Sequence, residues 1–262
     1  MAIITWLSDF GSASGYPAAM KGVALQICPG ATFVDLSHDV ERHNVREGAF
    51  LLWMTAPYFP DGTIHCAVVD PGVGTERRAI IIKTQKHFFV GPDNGLLLPA
   101  ASRLGDFSVY LIQNTKFFRP EISKTFHGRD IFAPVAAHLA NGIPPEEIGP
   151  PAEEWVKLSF GQGLRRGDLL EGDVIYIDSF GNAITNIAGE LLPKTLKSNL
   201  IIETERKSSS ARYARTYGDF PPDELIVTVG SHGHVEIAVV RGSAAQRLRL
   251  RAGDPIKIHW HE

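Results

Sequence analysis

Ile3-Ile4-Thr5-Trp6-Leu7-Ser8-Asp9-Phe10-Gly11 is a short apolar run halted by a polar turn. It reads as a buried strand feeding a loop. Working outward, residues 17–27 have helical character and stop at Pro29-Gly30. Residues 32–36 read as a second strand, and residues 45–58 as a second helix with apolar residues at helical spacing. Residues 63–69 are β-branched and apolar and end at Asp70-Pro71-Gly72. Strand and helix alternate, which predicts an α/β unit with a mostly parallel sheet. Residues 78–84 and 87–90 read as further strands, and 95–104 and 130–140 as further helices, the last stopped by Asn141-Gly142.

The character changes after Gly142. Residues 142–168 are rich in Pro, Gly and charge and make the best linker candidate. Beyond them, residues 173–177, 199–204, 225–229, 235–240 and 255–260 are short strand-like runs separated by turns. They predict a smaller all-β, barrel-like domain. Ser208-Ser209-Ser210 reads as an exposed loop. The expected division is an α/β N-terminal domain over residues 1–150, a linker over 151–170 and a β-barrel-like C-terminal domain over 171–262.

Composition narrows the function classes. The 262 residues are 44% hydrophobic and 21% charged, as in a globular chain. The net charge of -3 supplies no bulk positive field, which argues against nucleic acid as a partner. Two cysteines, Cys28 and Cys66, cannot build a zinc ribbon or a disulfide scaffold. The first nine residues lack a basic lead and turn acidic at Asp9, a poor signal peptide. The longest charge-free stretch, residues 131–145, contains His138 and three prolines, too short and broken for a membrane helix. The expectation is a soluble cytoplasmic protein with no membrane partner.

HExxH, GxxxxGK[ST] and GxSxG are absent, and Asp70-Pro71-Gly72-Val73-Gly74 lacks the GxGxxG spacing. What remains is polar residues where strands meet loops, where open α/β sheets collect ligands. Asp9, Asp70 and Asp93-Asn94 all follow strand-like runs, although the same residue types cap turns. Arg77, seven residues after Asp70, can fold back to orient that carboxylate, or can form a surface ion pair beside Glu76 and Arg78. His127 precedes a helix, where backbone N–H groups favour negative charge, and its ring can take a proton near neutral pH. His232, His234 and Glu236 alternate, so a strand would place them on one face as a metal-ligand row or as a solvated face. His259 and His261 repeat the spacing.

The chain resembles the adenosine-forming S-adenosyl-L-methionine hydrolases, also called S-adenosyl-L-methionine hydroxide adenosyltransferases, relatives of fluorinase and chlorinase. Ser8-Asp9-Phe10-Gly11, the run Val69 to Arg77, and Gly91-Pro92-Asp93-Asn94-Gly95 carry the likeness. So do Phe126-His127-Gly128-Arg129-Asp130, Phe180-Gly181-Asn182, Gly230-Ser231 and Glu236-Ile237-Ala238, all in order. The resemblance implies hydrolysis of S-adenosyl-L-methionine to adenosine and L-methionine. It implies an α/β domain, a barrel-like domain, and a homotrimer with sites between neighbouring subunits. The water-activating residues fall on Asp70, Arg77 and His127, and the ribose carboxylate on Asp9. Asp178 matches an amine-binding carboxylate, Phe180 and Asn182 the part that meets adenine, and Ser231 a residue near the methionine amino group. Glu236 and Val239 fall where the base is expected, and His232 stands where the halogenases carry an arginine for the methionine carboxylate. The halogenases carry a tyrosine and a halide-binding serine where this chain has Asp70 and Gly128, which favours water as nucleophile. No metal or cofactor is required. Two alternatives are a metal-dependent hydrolase built on His232, His234 and Glu236, and a non-catalytic adenosine or S-adenosyl-L-methionine sensor.

Overall fold

A computed structural model describes residues 2–193 and 199–260; His261 lies outside them. The chain divides into two compact units, residues 1–159 and 160–262.

Unit 1 contains strands β1 (Ile3–Ser8), β2 (Thr32–Ser37), β3 (Ile64–Val68), β4 (Ala79–Thr84), β5 (Phe88–Pro92) and β6 (Phe107–Leu111). Its helices are α1 (Tyr16–Ile27), α2 (Val45–Thr55), α3 (Leu98–Arg103), α4 (Ala133–Ala140) and α5 (Pro145–Ile148). The sheet order is β2-β1-β3-β5-β4-β6. The pairings β1–β2, β1–β3 and β3–β5 are parallel, and β4 runs antiparallel to both its neighbours. This is the mostly parallel sheet expected from the alternation.

Both faces of β1 are covered, which is why its sequence is a continuous apolar run. Trp6 joins Met20 and Ala24 of α1 and Val135 and Ala136 of α4 in one core. Leu7, pointing the other way, approaches Gly48 of α2. The chain goes from β1 outward to β2 and returns to β3 on the opposite side of β1. The ends of β1 and β3 therefore flank a topological switch point, where a sheet of this type leaves a crevice.

The first part of the Pro- and Gly-rich segment read as a linker packs within unit 1. Ile148 is fully buried, the N–H of Leu111 is bonded to the carbonyl of Pro150, and Tyr110 bridges to Pro151. The strand β6 was not anticipated.

Unit 2 contains β7 (Leu164–Arg166), β8 (Leu169–Ile177), β9 (Ala183–Ala188), β10 (Asn199–Glu203), β11 (Ser208–Tyr213), β12 (Leu225–Val229), β13 (His234–Val239), the short helix α6 (Ala244–Leu248) and β14 (Pro255–Trp260). Seven of these strands close a barrel in the order β14-β10-β11-β12-β13-β9-β8, sealed by the β8–β14 pairing, with β7 hairpinned onto β8. Leu170, Val174, Ile187, Ile202, Val227, Ile237 and Ile258 fill it. Ser208-Ser209-Ser210 corrects the loop expectation: it pairs with β10 as part of β11. Two of its serines are exposed, so the stretch is polar for the reason that outer strand positions are polar.

Candidate active site

Three of the residues singled out in the sequence meet at the switch point of unit 1. Asp70 follows β3, and the next seven residues turn back on themselves. The N–H of Val73 donates to the Asp70 carbonyl at 3.2 Å, and the Thr75 hydroxyl to the Gly72 carbonyl at 2.7 Å. Gly74 sits at φ +77°, and a Cβ there would lie 2.3 Å from the Lys124 carbonyl oxygen. Only glycine lets this loop lie against the one that carries His127.

Arg77 thereby reaches Asp70. Its Nε lies 2.9 Å from Oδ1 and 3.0 Å from Oδ2, and Nη2 also donates to Oδ2. The pair is largely enclosed, with side-chain exposures of 12% for Arg77 and 5% for Asp70, so it is shielded far better than a surface ion pair. The same Nη2 lies 2.8 Å from His127 Nδ1, and the guanidinium stands 5.1 Å from the Phe132 ring centre.

Arginine only donates, so this contact assigns the His127 lone pair to Nδ1 and its proton to Nε2. Burial, and then the Arg77 charge, push the His127 pKa below its ordinary value, which keeps the ring neutral at pH 7. His127 opens a π-helical turn, Gly128–Phe132, that runs into α4. Asp130 in that turn is fully buried and accepts from Arg119, Arg129 and the N–H of Ser123, which fixes the loop leading to His127.

Asp9, Asp70 and His127 line one open cavity of about 310 Å³ together with Phe10, Tyr16, Arg42, His43, Phe126 and Gly128. Asp9 accepts the His43 N–H at 2.9 Å, and His43 holds a left-handed backbone at φ 66°. Phe10, Tyr16 and Phe126 meet edge to face, with ring centres 5.1–6.0 Å apart. A Cβ on Gly128 would come 3.2 Å from Met20 Sδ and 3.3 Å from Phe10 Cε2, so the floor is tight at that position. The aromatic wall escaped the sequence reading because aromatic spacing alone does not distinguish a cavity from a core.

Asp93 and Asn94, the other strand-end pair, are structural. Asp93 is paired with Arg78 at 2.6 Å and accepts the Val156 N–H at 2.9 Å. Asn94 donates to the Val69 carbonyl at 2.8 Å and caps a turn through Leu96.

In unit 2, Asp178 organises a turn: its Oδ1 accepts the N–H groups of Phe180 and Asn182, and its Oδ2 the Asn182 side-chain amide at 3.0 Å. Phe180 at the tip is 76% exposed, far out of line for a phenylalanine. Glu236 on β13 is buried, with Tyr217 Oη at 2.5 Å from one oxygen and His232 Nε2 at 3.3 Å from the other. Ser231 is exposed, and Val239 belongs to the barrel core.

The alternating His-x-His-x-Glu does not form one strand face. β13 begins at His234, and His232 lies in the preceding turn, where the Gly233 N–H donates to the Gly230 carbonyl. His234 Nδ1 lies 3.2 Å from the His232 carbonyl oxygen. Among the described residues no group of three or more His, Cys, Asp or Glu is placed to hold a metal ion. His259 lies 3.0 Å from Glu203. Cys28 and Cys66 are both buried and free, and burial pushes the Cys66 thiol far up. Among the described residues no helix is long and apolar enough to cross a membrane.

Comparison with known proteins gives the arrangement a lineage. Residues 4–149 match the SAM hydroxide adenosyltransferase N-terminal domain, and residues 172–257 match its C-terminal domain. An (R)-S-adenosyl-L-methionine hydrolase of Salinispora arenicola is 40% identical, covering 98% of this chain and 99% of its own length. A fluorinase of an Actinoplanes species is 30% identical over 71% of each chain. The crystal structure of a conserved protein from Thermotoga maritima superposes with a TM-score of 0.93 at 38% identity, over 98% of this chain and all of that one. The chain belongs to the SAM hydroxide adenosyltransferase family.

Proposed function

We propose that the protein hydrolyses S-adenosyl-L-methionine to adenosine and L-methionine. The observation that carries this reading is the Asp70–Arg77–His127 chain on the wall of an aromatic-lined cavity. The likeness of the whole chain to curated (R)-S-adenosyl-L-methionine hydrolases supports the same conclusion.

The chemistry is an in-line displacement. Water oxygen forms a bond to the ribose 5′ carbon, the carbon–sulfur bond breaks, and its electron pair neutralises the sulfonium as the thioether of methionine. Sulfur leaves without protonation, so the site needs no general acid. An apolar aromatic wall suits a positive charge that fades along the reaction, because the loss of charge costs less solvation there than in water. The demand on the protein is to position one water and take its proton.

Asp70 is the acceptor in this reading. Arg77 fixes its carboxylate on two edges and occupies the Nδ1 lone pair of His127. The remaining imidazole N–H donates, so His127 holds the water while Asp70 draws its proton. Asp9 takes the ribose hydroxyls. Asp178, Phe180, Asn182, Ser231, Glu236 and Val239 contribute to the adenine and methionine ends in a homotrimer whose sites lie between neighbouring subunits. The exposed Phe180 ring supports a buried destination in the assembly. The free buried cysteines fit a cytoplasmic setting.

The test is incubation of the purified protein with S-adenosyl-L-methionine, with and without a chelator, and chromatography of the products. Adenosine and methionine in equal amounts are expected. Tight binding without turnover, activity abolished by a chelator, or 5′-halogenated adenosine on adding halide would each overturn the proposal. Light scattering of the pure protein tests the trimer.

A further inference from the structure

The loop that carries Asp9 is held by a polar chain, buried at Ser8 and His38, that the reaction chemistry does not use. Ser8, the last residue of β1, is fully buried, and its Oγ lies 2.8 Å from His38 Nδ1. His38, 5% exposed, presents Nε2 at 3.1 Å from Asp35 Oδ1, and Lys21 of α1 pairs with Asp35 Oδ2 at 2.6 Å. The residue types are those of a Ser-His-Asp triad. A nucleophilic role does not fit, because Ser8 has no exposed surface.

The hydrogen-bond directions define a different role. A carboxylate only accepts, so His38 Nε2 carries a proton, and in the neutral ring Nδ1 accepts from the Ser8 hydroxyl. Ser8 Oγ in turn faces the N–H of Phe10 at 3.4 Å. The main chain of His38 acts on the same loop, its carbonyl accepting the Gly11 N–H at 2.7 Å. The stretch between these anchors is Asp9-Phe10, and both residues line the cavity.

We propose that His38 is a positioning residue for nucleoside binding. Its ring and carbonyl clamp the Asp9-Phe10 segment from both ends, aiming the Asp9 carboxylate at the ribose hydroxyls and setting the Phe10 ring as a wall. Asp35 and Lys21 fix the imidazole in the required tautomer, as outer partners do for functional histidines. The proposal rests on the reading in which Asp9 binds ribose.

The test is calorimetric titration of adenosine and of 2′,3′-dideoxyadenosine into wild type, Ser8→Ala and Asp35→Ala, alongside KM and kcat for S-adenosyl-L-methionine. The Asp35 side chain is 45% exposed, so its variant leaves the core closed if Ser8→Ala fails to fold. Wild type prefers adenosine. Ser8→Ala lowers that preference about tenfold and Asp35→Ala about threefold, with KM rising more than kcat falls. Wild type with a preference that both folded variants retain would overturn the positioning role alone. Wild type with no preference would overturn the ribose role of Asp9, and the proposal with it.

Discussion

Asp70 and Asp93 are the same chemical device at neighbouring strand ends. Asp70 follows β3, Asp93 follows β5, and those strands are paired. Consecutive arginines answer them, Arg77 for Asp70 and Arg78 for Asp93. Both carboxylates are buried to a similar degree, with side-chain exposures of 5% and 2%. Their surroundings differ. The second oxygen of Asp93 is closed by the Val156 N–H. Asp70 borders a cavity, and its arginine passes on to His127. A buried Asp–Arg pair therefore marks a site only when one side of it is left for a ligand.

Neutralising each carboxylate in turn separates the two pairs most sharply. Asp70→Asn is expected to lower kcat about 10³-fold, the scale of a lost general base, with little change in urea midpoint. Asp93→Asn is expected to do the reverse, leaving the rate within about twofold and costing about 2 kcal/mol of unfolding free energy for a broken buried pair beside a half-exposed arginine. Equal effects on rate would erase the distinction.

The arginines extend the comparison at smaller scale. Arg77→Lys loses the fork that meets Asp70 and His127 together and is expected to cost about 10²-fold in kcat/KM. Arg78→Lys is expected to cost no more than about 1 kcal/mol of stability, because its side chain is 42% exposed, and to spare the rate.

Acid should also separate the two pairs, since Arg77 leans on a histidine as well as on its carboxylate. Protonating His127 sets N–H against N–H at the Arg77 contact. Burial and the Arg77 charge hold its pKa down, so the rate is full near neutrality and falls at a pH below the ordinary histidine value. Stability follows the same sign. A histidine with a depressed folded pKa stabilises fully above about pH 6.5 and loses that contribution as pH falls through its folded value. His65, buried beside His87 and lowered to about 3, extends this loss down the acid range. A pH–rate profile and acid denaturation curves check both. The smallest effect is expected for Gly128→Ser, where the Met20 and Phe10 contacts must yield by tenths of an ångström; KM should rise about threefold.

Much of this was legible in the chain. Apolar runs ending in Asp gave β1 and β3, and the switch in character after residue 142 separated an α/β part from a β part. β9 and β11 were not, because Thr185, Asn186 and the three serines of β11 dilute the apolar signal while their strands pair normally. The site was half legible. Asp70 and Arg77 could be linked by a tight loop, but nothing in the spacing joins His127 to them from fifty residues away. The Ser8–His38–Asp35 chain was invisible for the same reason, since parallel pairing of β1 and β2 is what sets those residues side by side. The alternative metal row of His232, His234 and Glu236 does not assemble, because the alternation begins before the strand does.

In the proposed mechanism Asp70 delivers a water to the ribose 5′ carbon. Turnover of S-adenosyl-L-methionine in ¹⁸O-labelled water, followed by mass spectrometry of both products, tests it most directly. One labelled oxygen in the 5′ hydroxyl of adenosine and none in methionine are expected. Label in methionine, or unlabelled adenosine, would contradict it.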